Sequence, residues 1–231
     1  MKRLLLTAAA AASLLGPAMA EEESPWTVSG TIGVTSNYMF RGFTQSDGDP
    51  ALQAGVTVAH SGGFYAGFWG SNVDFNDGFF SGKEAAELEL DLYAGYGFSL
   101  GENTTADINF TYYAYPGSWE GYDYDFFEII LGLAHDFGPA KVGVKLAYTP
   151  DTFGGDEEAW WLGGSLAVPI TDWLSISGNV GHQWYEFGDD YLHYDIGLSA
   201  TYEGVTFDAR YVATDLDYVE EEFVFSVGFA F

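Results

Sequence analysis

Leu88-Glu89-Leu90-Asp91-Leu92-Tyr93-Ala94-Gly95-Tyr96-Gly97-Phe98 places apolar side chains at 88, 90, 92, 94, 96 and 98, while Glu89, Asp91 and Tyr93 fall between them. Alternation of period two is the pattern of a β-strand with one greasy and one polar face. A soluble amphipathic strand would read the same way, so repetition decides. Trp26, Val28, Ile32 and Val34 alternate with Thr27, Ser29, Thr31 and Thr35. Further segments recur near residues 51–60, 63–73, 104–114, 124–136, 140–149, 159–168, 172–184, 191–202, 204–214 and 222–231. About twelve segments of roughly ten residues each predict an all-β chain, a transmembrane antiparallel up-and-down β-barrel. In the segment 63–73 both faces are partly apolar, and the pattern does not decide whether Tyr65 and Trp69 or Phe64 and Phe68 point outward.

The connections carry the same message, because short and long ones alternate. Short turns fall at Ser61-Gly62, Leu100-Gly101-Glu102-Asn103, Phe137-Gly138-Pro139, Pro169-Ile170-Thr171 and Glu203-Gly204. Longer, mostly acidic connections fall at 37–50, 74–84, 115–123, 150–158, 185–190 and 215–221. In outer-membrane barrels the short set is periplasmic and the long set extracellular, and an even strand count leaves both termini on the periplasmic side. Aromatic residues mark both expected rims, with Trp26, Phe98, Trp173, Tyr202 and Phe231 at one and Tyr112, Tyr148, Trp160, Trp184, Tyr194 and Tyr211 at the other. The last segment sets Phe223, Phe225, Val227, Phe229 and Phe231 on one face. So apolar an edge must be paired, and pairing with the first strand closes a barrel.

Met1, Lys2 and Arg3 precede an apolar run from Leu4 to Leu15 and the small triplet Ala18-Met19-Ala20. This order predicts a cleaved secretory signal peptide over 1–20 and one barrel domain over 21–231. After it, no apolar stretch approaches the ~20 residues of a membrane helix. The chain has no cysteine, which removes disulfides and thiolate metal sites. Its 34 acidic and 7 basic residues exclude a phosphate-neutralising surface, so nucleic acid is not an expected partner. Aromatics at 18% and 30 glycines suit membrane-facing strands and their turns.

Ser36-Asn37-Tyr38-Met39-Phe40-Arg41-Gly42-Phe43-Thr44-Gln45-Ser46, followed by Pro50-Ala51-Leu52-Gln53, resembles the TorF-type porins, also described as the Gcw_chp family of proteobacterial proteins of unknown function. Gly63-Phe64-Tyr65-Ala66-Gly67-Phe68-Trp69-Gly70-Ser71-Asn72-Val73 resembles a second block of that family. Glu89, Asp91, Tyr93 and Gly95, Tyr115-Pro116-Gly117 and Phe127-Glu128 resemble later ones. The resemblance implies an outer-membrane barrel of porin type and names no substrate. Beyond about residue 140 only the general strand pattern continues.

If the apolar positions face lipid, alternation turns Glu87, Glu89, Asp91, Asp107, Glu128, Asp195 and Asp208 inward together with Lys141, Lys145 and Arg210. Charges confined to one face predict a polar lumen, and the acidic excess predicts a modest preference for cations or neutral solutes. The rival reading pairs these charges into a plug. Arg41 joins either a constriction, if the first loop folds inward, or the rim. Acidic loop clusters at Asp156-Glu157-Glu158, Asp189-Asp190 and Glu220-Glu221-Glu222 are either solvated or bound to divalent cations.

A Ser-His enzyme is not expected, because His182 and His193 fall on opposite parities of their hairpin. No cofactor motif occurs. The sequence therefore predicts a non-enzymatic outer-membrane channel for passive diffusion of small solutes in a Gram-negative bacterium. Its expected partners are outer-membrane lipid, the barrel-assembly machinery during insertion, and the solutes themselves. The alternatives are a non-conducting barrel that binds a ligand or partner through acidic extracellular loops, and, more distantly, a soluble periplasmic barrel.

Overall fold

The period-two segments form strands because β-branched and aromatic residues fit a pleated surface and Gly-containing turns end each run. A computed structural model describes residues 24–75, 86–118, 124–153 and 157–231. The expected signal peptide, residues 76–84 of the connection 74–84, residues 119–123 of the connection 115–123, and residues 154–156, Asp156 among them, lie outside the described residues.

The strands are β1 Trp26–Thr35, β2 Met39–Phe40, β3 Phe43–Thr44, β4 Ala51–His60, β5 Phe64–Asn72, β6 Leu88–Ser99, β7 Thr104–Ala114, β8 Phe126–Asp136, β9 Lys141–Thr149, β10 Ala159–Pro169, β11 Leu174–Tyr185, β12 Tyr191–Tyr202, β13 Val205–Thr214 and β14 Glu222–Ala230. Twelve of them close into an antiparallel barrel in which each strand pairs with its neighbour in sequence, and β2 and β3 form a separate hairpin. That hairpin lies inside the connection 37–50, where the sequence predicted only a polar loop. Elsewhere the expected strands agree within two residues at either end.

Closure joins β1 to β14 in the register Thr31↔Ala230 to Thr35↔Ser226. Gly30 N–H donates to the Phe231 carbonyl at 2.9 Å, Phe231 N–H returns the bond at 3.0 Å, and the Phe231 ring lies over Gly30. No edge strand remains in the ring, so the apolar final strand is fully paired.

Outward positions of the barrel strands are mostly apolar, with Ile32, Leu92, Ile108, Leu131, Leu162, Ile196 and Phe225 all exposed. A continuous band of this kind far exceeds the patches that soluble monomers tolerate and suits hydrocarbon. Phe64 and Phe68 are 64% and 48% exposed, which settles β5: they face outward and Tyr65 and Trp69 face in. Tyr148, Trp160 and Trp184 lie in one register row across β9, β10 and β11, part of an aromatic girdle near the long-connection end.

Candidate functional site

Long side chains on the inner face lie along the wall instead of crossing the interior. Tyr93 on β6 passes over Gly67 of β5 and hydrogen-bonds Thr57 of β4 at 2.6 Å, following the row Thr57↔Gly67↔Tyr93. Tyr65 on β5 lies over Gly95 of β6, donates to Asp107 at 2.7 Å and accepts from Asn109 at 3.1 Å, both on β7. Arg210 on β13 passes over Gly197 of β12 to reach Ser177 of β11 at 2.9 Å. The glycines make this possible. A Cβ at Gly67 would stand 2.5 Å from the Tyr93 hydroxyl, and one at Gly197 2.9 Å from the Arg210 guanidinium carbon.

One element does cross. The connection between β1 and β4 turns inward and carries the β2–β3 hairpin, with Met39 opposite Thr44 and Phe40 opposite Phe43. Its tip residues have φ of 49° at Arg41 and 91° at Gly42, the left-handed pair that a type I′ turn needs. Gly42 adopts this freely, whereas Arg41 is held there at a cost of about 1 kcal/mol. Its surroundings hold it. Arg41 Nη1 lies 2.8 Å from Glu128 Oε1, Nη2 donates to Oε2 at 2.8 Å, and Nη1 donates to Gln183 Oε1 at 3.0 Å. The guanidinium also sits 4.7 Å from the Trp161 ring centroid and 4.8 Å from that of Phe40. Exposures of 12% and 1% make Arg41–Glu128 a buried, bidentate ion pair.

The hairpin touches the wall on many sides. Tyr38 meets Trp69 of β5 at 5.4 Å and donates to Glu89 of β6 at 3.0 Å. Phe40 meets Tyr113 of β7 at 6.0 Å, and Phe43 meets Tyr191 of β12 at 5.1 Å. At its base Asn37 Oδ1 accepts from Thr44 Oγ1 at 2.6 Å and from Ser46 Oγ at 3.2 Å, pinning the two ends of the loop together. Above it, Phe75, Tyr115, Tyr124 and Phe153 from three long connections pack ring to ring, with Tyr124 and Phe153 centroids 4.6 Å apart. Burial pushes the phenols of Tyr38 and Tyr115, both outside the strands, well up from their ordinary value and keeps them protonated donors.

The interior is therefore graded along its axis. Towards the long-connection end, Thr35, Ser71, Glu89, Glu128, Gln183 and His193 are buried beneath the hairpin. Towards the short-turn end, inner positions such as Thr31, Ser99, Ser175, Thr201 and Thr206 are small, polar and accessible.

The charged residues expected on the inner face fall into separate groups. Arg41 and Glu128 form the ion pair at the hairpin tip. Glu89 and Asp91 lie side by side on β6 next to Tyr38. Asp195, Asp208 and Arg210 form one network, in which Arg210 Nη1 bonds Asp195, Nη2 lies 3.2 Å from Asp208 and Ser199 donates to Asp208 at 2.6 Å. Asp107 and Lys145 share the row Asp107↔Gly132↔Lys145. Lys141 sits at the short-turn rim, 3.5 Å from Asp136 and 40% exposed. Glu87 precedes β6 in a long connection and is exposed, because the strand begins one residue later than its alternation suggests.

Sequence reasoning missed Tyr38, Trp161, Gln183, Tyr191 and His193 as parts of the site. Their one signal was a bulky or amide side chain on the polar parity of a strand or in the first connection. Trp161 Nε1 donates to His193 Nε2 at 2.8 Å inside the barrel, while the His182 ring lies tilted against Trp184 at 4.3 Å on the outer face. Among the described residues no three or more His, Asp or Glu side chains converge in the manner of a multi-acid metal centre.

The barrel is similar in fold to the KdgM porin, with a TM-score of 0.58 at 8% identity over 88% of this chain and 98% of that one. It is also similar to the NanC porin, with a TM-score of 0.56 at 10% identity over 88% and 98% of the two chains. LpxR from Salmonella typhimurium superposes with a TM-score of 0.50 at 10% identity over 88% and 99%. At such identities the likeness concerns the fold alone. No curated protein matches the sequence. Residues 19–227 match the family model described as a bacterial protein of unknown function, Gcw_chp, and the chain belongs to that family.

Proposed function

We propose that the protein is an outer-membrane channel for small solutes whose constriction is its own first extracellular loop. The carrying observation is the way Tyr93, Tyr65 and Arg210 are laid flat over Gly67, Gly95 and Gly197, so that these long side chains stay on the wall while the hairpin, among the described residues, crosses the interior. The apolar outer band would face lipid, the short turns would face the periplasm, and the paired last strand would be the element delivered to the barrel-assembly machinery. Solutes would meet small, polar, accessible inner residues on the periplasmic side and the Arg41–Glu128 pair at the outer end. Glu89 and Asp91 beside that pair support a preference for cations or neutral solutes.

A second reading has its own observation. The aromatic roof of Phe75, Tyr115, Tyr124 and Phe153 over the hairpin favours a barrel that does not conduct at rest and acts through its outer surface. Single-channel recording of the refolded chain in a planar bilayer under a KCl gradient tests both. Discrete steps with a cation-selective reversal potential support the channel. A folded, inserted and silent barrel replaces it with the second reading.

A further inference from the structure

His193 is buried on the inner face of β12 and meets the first-loop hairpin in two ways. Directly, the hairpin tip rests on it: a Cβ at Gly42 would stand 3.0 Å from the His193 Cβ and 2.5 Å from the Thr214 methyl. Through a second ring, His193 Nε2 accepts the Trp161 indole N–H at 2.8 Å, and the Arg41 guanidinium lies 4.7 Å from the centroid of that same Trp161 ring. The planes of the two rings are 11° apart, and the rings join across Gly181, where a Cβ would overlap both bonded nitrogens. Register brings them together. Trp161 leans over Gly163 and His193 over Gly181, in the row Gly163↔Gly181↔His193.

An indole nitrogen only donates, so the imidazole nitrogen facing it is the one without a proton, and His193 is neutral in this arrangement. A proton on that nitrogen sets two N–H groups against each other and ends the bond. It also adds a positive charge behind the ring that carries Arg41. We infer that His193 is a proton-operated latch for the hairpin: neutral, it holds Trp161 to the wall and the tip stays docked, whereas protonated it lets Trp161 go and the hairpin is released. The neighbouring charges set this direction. The hairpin brings Arg41, which Glu128 of β8 answers, and β9 brings Lys145 to the same row at Lys145↔Gly163. On β12 itself Asp195 is held by Arg210 and Asn179, and Tyr191 lies beside Tyr185 of β11. β10 and β13 face His193 with Trp161 and Thr214, which do not titrate. Both carboxylates already serve a guanidinium, so a new imidazolium adds to the positive side. Loss of one hydrogen bond of ordinary strength should lower the docked-to-released ratio about tenfold. Docking of the hairpin is a property of the fold, and the latch rests on the channel reading only where conductance is its readout.

Isotope-labelled chain refolded in detergent micelles is followed by nuclear magnetic resonance from about pH 8 to about pH 4, a range that brackets histidine titration in proteins. The Trp161 indole N–H, identified by its absence in Trp161→Phe, should leave its hydrogen-bonded position in a one-proton step, and the Gly42 amide should change over the same step. Unitary conductance in a planar bilayer should rise along that curve. His193→Gln keeps an acceptor for the indole and removes the titration, so all three steps should vanish. Should His193→Gln fail to fold, Trp161→Phe carries the test, with a smaller Gly42 step because the ring between His193 and Arg41 has lost its link. An indole signal that stays flat over the whole range overturns the latch, as does a step that survives in His193→Gln or a Gly42 step unchanged in Trp161→Phe. An indole step with a constant Gly42 signal overturns it too, because His193 then titrates without moving the hairpin. A barrel that is silent at every pH but shows both resonance steps supports the latch and removes the channel reading instead.

Discussion

Arg41 and Glu128 stand 87 residues apart in sequence and meet through two contacts of 2.8 Å inside the barrel, one partner on a loop tip and the other on β8. The pair fixes where the first loop ends. Removing one member leaves the other charged and buried, which costs about 3–5 kcal/mol in comparable pairs. That loss falls on the docking of the hairpin, since the β-ladder of the barrel does not depend on it. Arg41→Ala is therefore expected to leave a folded barrel with a released loop and a conductance higher than that of the parent. A variant whose unitary conductance and melting curve both match the parent would remove Arg41 from the constriction.

Arg41→Lys separates charge from geometry. Lysine keeps the charge but offers no fork for the two carboxylate oxygens and no planar face for Trp161. The hairpin should stay docked for a smaller fraction of the time, giving flickering between the parent level and the Arg41→Ala level in single-channel records. A steady parent level would mean that charge alone holds the loop.

The glycine spans make a different prediction. Valine at Gly67 puts a Cβ 2.3 Å from the Val56 carbonyl oxygen and 2.5 Å from the Tyr93 hydroxyl, so the β4–β5 backbone must shift and the ring must leave its bond to Thr57 and enter the interior. Gly67→Val is expected to lower conductance and stability together, and Tyr93→Ala in the same chain to restore the conductance while leaving the stability lost at the Val56 backbone contact. Coupling of this kind is what a double-mutant cycle reads. Additive effects of the two substitutions would show that the ring does not depend on the glycine.

These predictions separate what the sequence discloses from what it hides. Alternation exposes the twelve strands, because one face must meet an apolar surround and the other must not, and the Leu88–Phe98 stretch shows that contrast at almost every position. The inward fold of the first loop leaves no such trace. Phe40-Arg41-Gly42-Phe43 lacks the Asn-Gly or Asp-Gly pair that announces a type I′ turn, since Arg41 takes the first left-handed position. What holds it there is Glu128, Gln183 and Trp161, all far away in sequence. The polar parity of each strand likewise shows that Asp195, Asp208 and Arg210 point inward. It does not show which acids each base will serve, because that depends on the register that lays Arg210 over Gly197.

That network supplies the last prediction. Arg210 contacts Asp195, Asp208 and Ser177 on the inner wall, so its positive charge compensates two carboxylates where solutes would pass. Arg210→Gln keeps a planar donor group of moderate length but deletes the charge, leaving the wall more negative by one unit. In a conducting barrel the reversal potential under a KCl gradient should therefore move further towards the cation limit, and more so at low ionic strength, where screening is weakest. The matched variant Asp208→Asn removes a negative charge from the same spot and should move it the opposite way. Shifts of equal sign in the two variants would place the selectivity elsewhere, at the Arg41–Glu128 constriction or among the outer loops.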